Sequence, residues 1–468
     1  MYKTFRYWFW VIQAFVSKHA LKLVTAFIIL AASVFGVFML TPYVMADQDQ
    51  EVFVEGVVGT YTLKKLPPEV LKYLSVGIIE ISPDGTPVPK LAESIQNSAD
   101  GREFTIILKE NVRWHNDSML TSADLTYPLP DVQIERPDSR TMKFTLKEPF
   151  APFLTLLTSP LIKITRSDDV VGLGEYKINK VGYSRTQFLT ELELISETRQ
   201  PRKILLRFFA TEKDAIAALK VGKIDALKVS APADLTDWKN LTIYKRILPR
   251  SFVGIYFNIK DPVVGGKDPI LRQALSMAIP KIEDEIHFDG PFAASSWAYQ
   301  PSDSKYAYNI KKAREAIAQY NKSSGKSDLT APTQIKLTVA PELVTVAEFI
   351  KEAWAEIGVE VTTESSLIPS EEYQAFLTVQ DLPADPDQYS LWHSTQSTNI
   401  ANYNNVRVDR DLEQGRRTMS QSDRLQGYAD FQKIIREELP VLYLYHDSEY
   451  FAILKKSDSQ QLRELKGL

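Results

Sequence analysis

The amino-terminal part of the chain contains a long stretch without a charged residue. Positions 23–46 hold no Asp, Glu, Lys or Arg, and a helix needs about 20 apolar residues to cross the hydrocarbon core of a bilayer. The basic residues Lys3, Arg6, Lys18 and Lys22 precede this stretch, and acidic residues begin directly after it. The positive-inside rule therefore predicts a cytoplasmic or interfacial segment at 1–22, a transmembrane anchor or signal segment at 23–46, and an exported remainder.

Two interpretations of this stretch remain open. Val44-Met45-Ala46 has the small residues that precede a signal-peptidase cleavage site. The apolar stretch and its 22-residue lead are long for a signal peptide, which favours an uncleaved anchor. Trp8, Phe9, Ile12, Phe15 and Val16 recur at helical spacing, which is typical of an interfacial helix but also fits a simple aromatic-rich flank.

Length, charge and the lack of cysteine exclude several classes of protein. A chain of 468 residues has room for roughly three domains. Its net charge of −4 argues against nucleic acid as the main partner. It has no cysteine, which excludes disulfides, thiolate metal sites, a cysteine nucleophile and a thioether lipid anchor.

The exported part alternates helical and strand patterns, which predicts an α/β fold. Thr211 can cap a helix that ends near Gly222, after which a strand pattern resumes at 224–229. Asp268-Pro269 predicts a second helix start, and Pro280 its end. Further helix-to-strand transitions are predicted at Gly358 and at Pro440.

No established catalytic signature is present. The sequence has no Gly-x-Ser-x-Gly elbow, phosphate loop or His-Glu-x-x-His motif, and its five histidines lie far apart. His446 and Glu449 have metal-like spacing, but a surface or structural role is the simpler interpretation. Asp385 and Asp387 are close enough for acid–base chemistry, although such carboxylates are more often solvated. We therefore predict no catalytic residue, no metal and no cofactor.

An ordered series of segments resembles the family 5 extracellular solute-binding proteins of ABC importers, of the oligopeptide- and dipeptide-binding type. The series includes Val112-Arg113-Trp114-His115-Asn116-Asp117 and the helix segment Leu271-Arg272-Gln273-Ala274-Leu275. The other segments are 84–94, 101–109, 120–124, 144–149, 172–176, 384–387 and 439–445. The resemblance spans about 50–455. It departs from the family in the missing lipid-bearing cysteine, in a short stretch between Leu125 and Met142, and in Gly-Leu-Gly-Glu-Tyr at 172–176.

The resemblance implies a two-lobed periplasmic-binding-protein-like fold, type II, of the large peptide-binding class with an extra subdomain, preceded here by one transmembrane helix. Lobe I would combine 47–75, 165–247 and 435–468. The small subdomain would be 76–164 and lobe II would be 248–434. The two chain crossings between the lobes would form a hinge that closes around a ligand.

The resemblance also implies a function and a set of site residues. The chain would bind small peptides outside the cytoplasm, as a membrane-anchored monomer, and deliver them to ABC permease subunits. An aspartate of lobe II would pair with the peptide ammonium, and Asp385 ranks slightly ahead of Asp381. The candidate pocket walls are Tyr389, Trp392, Trp297 and Tyr299. The ligand carboxylate would bind an arginine or a helix amino terminus.

Two alternatives to this function come from other classes. One is a membrane-anchored extracytoplasmic hydrolase that uses cleft carboxylates. The other is a sensor or chaperone that has the same fold but no permease.

Overall fold

The computed structural model describes nearly all of the chain after residue 51. It covers residues 52–468 apart from 167, 233–234, 267, 302–304 and 325–330, together with 8–10, 13, 16–20, 25 and 35. The predicted membrane segment 23–46 thus lies outside the described residues, except for Thr25 and Phe35. Among the described residues, no helix combines the length and the apolar character needed to cross a membrane.

The strands of the described residues form one large sheet and three small ones. Ten strands make the large mixed sheet, in the order β10-β11-β12-β1-β13-β18-β14-β17-β15-β16. The bounds are β1 (Val52–Val58), β2 (Ile79–Ile81), β3 (Pro87–Pro89), β4 (Ala92–Asn97), β5 (Glu103–Leu108), β6 (Val132–Glu135), β7 (Thr141–Leu146), β8 (Lys163–Ile164), β9 (Val170–Val171), β10 (Lys177–Tyr183), β11 (Leu189–Ile195), β12 (Lys203–Phe209), β13 (Ala226–Val229), β14 (Leu241–Phe257), β15 (Thr333–Val339), β16 (Val359–Ser365), β17 (Ala375–Asp381) and β18 (Val441–Leu454).

The helices after residue 51 pack on the faces of the sheets and at their ends. They are α1 (Pro68–Leu74), α2 (Glu212–Lys220), α3 (Ile270–Ala278), α4 (Ile310–Ser323), α5 (Val344–Ala355), α6 (Tyr389–Trp392), α7 (Val406–Arg417), α8 (Gln421–Glu438) and α9 (Gln460–Lys466). The mixture of parallel and antiparallel strand pairs covered by helices is an α/β architecture, as the alternating pattern predicted.

The predicted helix-to-strand transitions are confirmed by the local structure. Thr211 caps α2, because its side chain accepts a hydrogen bond from the Asp214 backbone N–H. Gly222 follows this helix at φ +73°, a conformation that costs glycine little and that most residues avoid. The Asp268 carboxylate accepts from the Ile270 N–H at 3.0 Å at the start of α3. Helix α8 ends directly before Leu439, and β18 begins at Val441.

The two long strands β14 and β18 join the two halves of the large sheet. Residues 241–247 pair with 448–454, and residues 252–256 pair with 441–446. The register shifts between Ile247 and Phe252. Residues 450–453 of β18 also pair with β13. Residues 251–257 of β14 pair with β17. Both strands therefore pass from one half to the other at the same level.

This crossing defines two groups of residues that we call lobe I and lobe II. The expected boundary after residue 247 coincides with the break in β14. The expectation also assigned 435–468 to lobe I, but residues 441–446 pair with the lobe II part of β14. Since paired strands must bend together, the second crossing lies near Asp447. The complete set of domain limits stays a prediction.

Separate hydrophobic clusters support each part of the fold. In lobe II, one face of the sheet packs under α3, α4 and α5, and the other face packs under α8 and the loop near Phe292. In lobe I, the clusters lie around Leu192 and around Leu219. A further cluster around Phe104 and Phe144 belongs to the four-stranded sheet β4-β5-β7-β6. This last unit lies within 76–164, the range that the sequence analysis expects for the small subdomain.

Candidate functional site

The small subdomain meets lobe II along a contact surface that we call the seam. The turn at 83–86, between β2 and β3, lies against the loop that follows β17. The Trp297 backbone N–H donates to the Asp84 carbonyl at 2.9 Å. A Cβ atom on Gly85, which has φ +91°, would lie 2.6 Å from the Ala384 carbonyl oxygen. Glycine is therefore required at position 85 for this close approach.

The space left at the seam is small. A cavity of about 10 Å³ lies between the turn, Arg250 and the loop at 382–388. That volume is sufficient for about one water molecule. A ligand larger than water can enter here only when the turn and the loop separate.

Other contacts across the seam are weak enough to permit separation. Arg417 forms an ion pair with Glu148 at 3.0 Å, and both side chains are more than half exposed. Exposed pairs of this kind contribute about 0–1 kcal/mol. The Arg416 guanidinium lies 5.2 Å from the ring of Phe150. Met419 packs against Gly101. None of these contacts buries a fully desolvated charge pair between subdomain and lobe.

Asp385, the higher-ranked candidate for the ligand ammonium, is buried in an ion pair within lobe II. Both of its carboxylate oxygens accept hydrogen bonds from Arg424, with a distance of 3.0 Å from Nη1 to Oδ2. Both side chains are less than one-tenth exposed. Burial lowers the pKa of Arg424, but Tyr428 and Asp385 more than offset this, so the pKa is raised and the guanidinium stays charged. A ligand ammonium at Asp385 would compete with this bidentate pair.

Asp387 holds the same loop to α7. Arg416 Nε donates to Asp387 Oδ2 at 3.0 Å, and the Tyr389 backbone N–H donates to Oδ1 at 3.2 Å. Burial raises the pKa of Asp387, and Arg416 offsets part of that shift. The Arg416 guanidinium also lies 4.1 Å from the ring of Tyr389, which stacks on His393. The neighbouring carboxylates of Asp385 and Asp387 are thus paired with two different arginines.

Asp381, the other candidate, has a different environment. It is the last residue of β17, it is exposed, and it pairs in register with Ser251 at the break in β14. No basic group lies within 4.0 Å of its carboxylate in the described part of the chain. Asp447 is its acidic neighbour: burial raises the pKa of Asp447, and the charge of Asp381 raises it further. These two carboxylates place uncompensated negative charge at the crossing between the lobes.

Asp447 and Arg250 are candidate site residues that the sequence analysis missed. Arg250 is exposed, lines the seam cavity and has no carboxylate within 4.0 Å among the described residues. Its backbone carbonyl accepts from the Leu382 N–H at 2.7 Å, which fixes it beside the loop. The sequence did contain one signal, because Pro249 interrupts a long strand pattern and cannot donate a ladder hydrogen bond.

The four aromatic candidates lie together in one hydrophobic cluster of lobe II. Trp392 is 2% exposed, and its indole N–H donates to Gln388 Oε1 at 3.1 Å. The Tyr299 hydroxyl donates to Asp289 at 2.9 Å. Trp297 is half-buried 5.1 Å below the Arg424 guanidinium, and its ring edge faces Gly85. Trp297 and Tyr389 are thus the members of this set that contact groups at the seam.

No metal centre is formed by the residues that the structure describes. They contain no group of three or more His, Cys, Asp or Glu side chains arranged to hold an ion. Glu449 of the His446/Glu449 pair is instead bound by Lys228 and Arg246.

Several known proteins are similar to this chain. Oligopeptide-binding protein AppA of Bacillus subtilis is 25% identical over 443 residues, which cover 78% of this chain and 79% of that protein. The dipeptide-binding protein of Escherichia coli is 22% identical over 446 residues, which cover 79% of this chain and 82% of that protein.

Solved structures show the same fold at low sequence identity. The substrate-binding protein CtaP of Listeria monocytogenes has a TM-score of 0.72 at 19% identity and covers 88% of this chain and 96% of its own. The nickel ABC transporter protein of Bacillus halodurans has a TM-score of 0.71 at 19% identity, with 86% and 95% covered. Residues 86–129 and 126–402 match the sequence model of the middle region of the bacterial extracellular solute-binding proteins, family 5. The chain therefore belongs to the bacterial extracellular solute-binding proteins, family 5.

Proposed function

We propose that this protein is the substrate-binding component of an ABC importer, and that it holds a short peptide between lobe I with its subdomain and lobe II. The observation that carries the proposal is the paired crossing of β14 and β18, with uncompensated carboxylates at the level of the crossing. The names of the oligopeptide- and dipeptide-binding relatives supply the class of ligand. The protein would act as a monomer and release the peptide unchanged to the permease subunits.

Peptide entry requires a hinge motion. Ligand pockets typically enclose about 300–1,000 Å³, whereas the seam cavity is about 10 Å³. The seam contacts are weak, and the interrupted pairing at 248–251 removes ladder hydrogen bonds where the two strands cross. Opening therefore breaks few strong interactions. Contacts of a peptide with both sides would then shift the population toward a closed state.

We assign the ammonium-binding role to Asp381 in preference to Asp385. Asp381 and Asp447 have no cation within 4.0 Å in the described chain, so a ligand ammonium would relieve their mutual repulsion. Asp385 already forms an ion pair with Arg424, and removing it would leave that buried guanidinium without a charged partner. Arg250 is placed to receive the ligand carboxylate. Trp297 and Tyr389 would form walls, while Trp392 and Tyr299 would support them from within lobe II.

The membrane anchor is also part of this proposal. Residues 23–46 carry no charge, and the basic residues before them place the amino terminus in the cytoplasm. Because the chain has no cysteine for a lipid, an uncleaved span would keep the binding lobes near the permease.

Peptide binding is the first prediction. Isothermal titration of the protein with peptides of two to five residues should give one site per chain, and mass spectrometry should recover intact peptide. N-acetylation should weaken binding by about 2–5 kcal/mol, because it removes the charge that Asp381 pairs with. Binding of a nickel–histidine complex or a sugar without binding of any peptide would refute the peptide assignment and leave the importer role to be tested with that cargo.

The second prediction separates Asp381 from Asp385. Asp381→Asn should weaken peptide binding by about 2–5 kcal/mol and leave the free energy of unfolding nearly unchanged, because its carboxylate is exposed. Asp385→Asn should instead lower the free energy of unfolding by about 3–5 kcal/mol, because Arg424 loses its buried partner. Urea unfolding and titration calorimetry measure both quantities. The opposite pattern would return the ligand role to Asp385.

The third prediction concerns Asp447 and pH. Its folded-state pKa is raised above that of the unfolded chain, so ionisation at neutral pH destabilises the folded state. Asp447→Asn should therefore stabilise the protein at pH 7. The gain should shrink as pH falls through the raised folded pKa and disappear below the unfolded pKa, where the carboxyl is neutral in both states.

Asp84→Asn is the control for this prediction. The pKa of Asp84 is lowered, chiefly because the Ser82 hydroxyl donates to its carboxylate. Its charge therefore stabilises the folded state at pH values above the pKa that Asp84 has in the unfolded chain. This stabilisation is lost as the pH falls through the lower pKa that Asp84 has in the folded protein. The substitution should not stabilise the protein at pH 7. Equal effects of both substitutions on melting temperature across pH 3–8 would contradict the assignment.

The fourth prediction tests the anchor. Full-length protein expressed in cells should remain in the membrane fraction after an alkaline carbonate wash, and its intact mass should include residues 1–46. The same chain with Leu30→Arg and Val34→Arg should leave the membrane, because two charges in the centre of a span cost about 5–7 kcal/mol in insertion. A mature chain that begins at Asp47 would show that the segment is a cleaved signal.

A further inference from the structure

A second cavity lies entirely within lobe II, and we call it the lobe II cavity. Its volume is about 870 Å³, and none of its lining residues also lines the seam. It lies between the end of α3, the segments 279–289, 300–301 and 305–308, helix α8 and residues 442–445 of β18. Its size falls within the range of about 300–1,000 Å³ that is typical of small-molecule sites.

The wall of this cavity is mainly apolar and aromatic. Ile279, Phe288, Tyr306 and Leu442 are among the residues that form it. Phe288 is 2% exposed and packs edge-on against His446, so this part of the wall is fixed by its own packing. An apolar wall of this size favours a ligand with an aromatic or branched apolar group, because burying apolar surface away from water is favourable.

Four positive charges line the same cavity without a carboxylate within 4.0 Å in the described part of the chain. They are Lys281, Lys305, Lys433 and Arg436. The lining also contains three acidic residues: Glu285 is paired with a cation, whereas Asp289 and Glu437 have no cation within 4.0 Å in the described chain. Glu285 binds Lys245 at 2.6 Å, and Asp289 accepts from the Tyr299 hydroxyl at 2.9 Å. The cavity therefore carries an excess of unpaired positive charge.

Arg436 is held in place by groups that do not neutralise it. Its Nε donates to the Asp289 carbonyl at 3.2 Å, and its Nη1 donates to the Gln300 carbonyl at 2.8 Å. Its buried Nη2 has no hydrogen-bond partner among the described residues, and the same is true of the buried hydroxyl of Tyr443 in the same wall. Burial raises the pKa of Tyr443 well above its usual value, so this hydroxyl keeps its proton.

We propose that the lobe II cavity binds a small organic anion, namely an aromatic or branched apolar body with one carboxylate or sulfonate group. The apolar wall would bury the body, and the lysines with Arg436 would pair with the acid group. This ligand is distinct from the cargo at the seam. The acid group could belong to a free molecule or to the carboxyl terminus of a peptide, and both sources share the same chemistry.

Photolabelling of the full-length protein in lipid nanodiscs tests this proposal. The probe is 4-benzoylbenzoate, an aromatic carboxylate that inserts into nearby C–H bonds on illumination. Mass spectrometry of the digested protein should place the label within 279–289, 305–308 or 433–445. The neutral amide of the probe should label these segments about tenfold less, because it lacks the charge that the lysines attract.

Two variants change the cavity in different ways. Ala429→Trp adds a large side chain at the lining of α8, and Lys433→Glu reverses one charge. Each should reduce labelling about tenfold, whereas peptide affinity at the seam should stay unchanged. Lys311→Glu is the matched control, since Lys311 is an exposed lysine of α4 outside the lining, and it should label like the unaltered protein. Urea unfolding verifies that each variant is folded.

Competition distinguishes the two sources of the anion. Displacement of the label by 2-naphthoate would support a free molecule. Displacement by a tetrapeptide with a carboxyl-terminal leucine, but not by its amide, would support a peptide carboxylate. Labelling confined to 382–388 would overturn the proposal. Equal labelling of the two folded cavity variants and the Lys311→Glu control would overturn it as well.

Discussion

The pairing of β14 with β18 is the interaction on which the rest of this structure depends. These strands connect lobe I and lobe II within one continuous sheet, yet their register shifts between Ile247 and Phe252. Pro249 lies in this interval and has no N–H to donate. The ladder between β14 and β18 is therefore interrupted at the level where the two lobes meet. A structure with few ladder hydrogen bonds at one level bends there at the lowest cost.

The charges near this crossing divide into a paired group and an unpaired group. Asp385 and Asp387 are buried with Arg424 and Arg416, and they hold the loop after β17 in one shape. Asp381 and Asp447 lack such partners and repel each other at the crossing. The first group fixes the loop after β17 through buried ion pairs. Under the proposed function, the second group is the one that a ligand ammonium would stabilise.

The order of motifs along the sequence was sufficient to predict the family and the α/β fold, and the family match confirms both the solute-binding function and the absence of an enzymatic role. The caps at Thr211 and Asp268 were also predictable, because capping depends on neighbours a few residues away. The choice between Asp381 and Asp385 as the proposed partner of the ligand ammonium could not be predicted from the sequence. It depends on Arg424, which lies 39 positions from Asp385 along the chain.

The register of the strands and the positions of the cavities could not be predicted from the sequence. Asp447 lies at the crossing between the two halves of the sheet only because β18 pairs with β14 in two separate stretches. The lobe II cavity depends on how the segments 279–289, 300–301 and 305–308 pack against α8 and β18, and no short motif encodes that packing. Local patterns predict elements, whereas a site made by several elements requires their long-range contacts.

The lobe II cavity and the crossing share one strand. Leu442, Tyr443, Leu444 and Tyr445 line the cavity, and the strand reaches the crossing at Asp447 two residues later. The His446 N–H donates to the Ile286 carbonyl at 2.9 Å, so the segment that borders the cavity is also hydrogen-bonded to the strand just before its bend. Under the proposed function, lobe closure would bend this same strand, so the lobe II cavity and the crossing share one structural element while their ligand contacts stay separate.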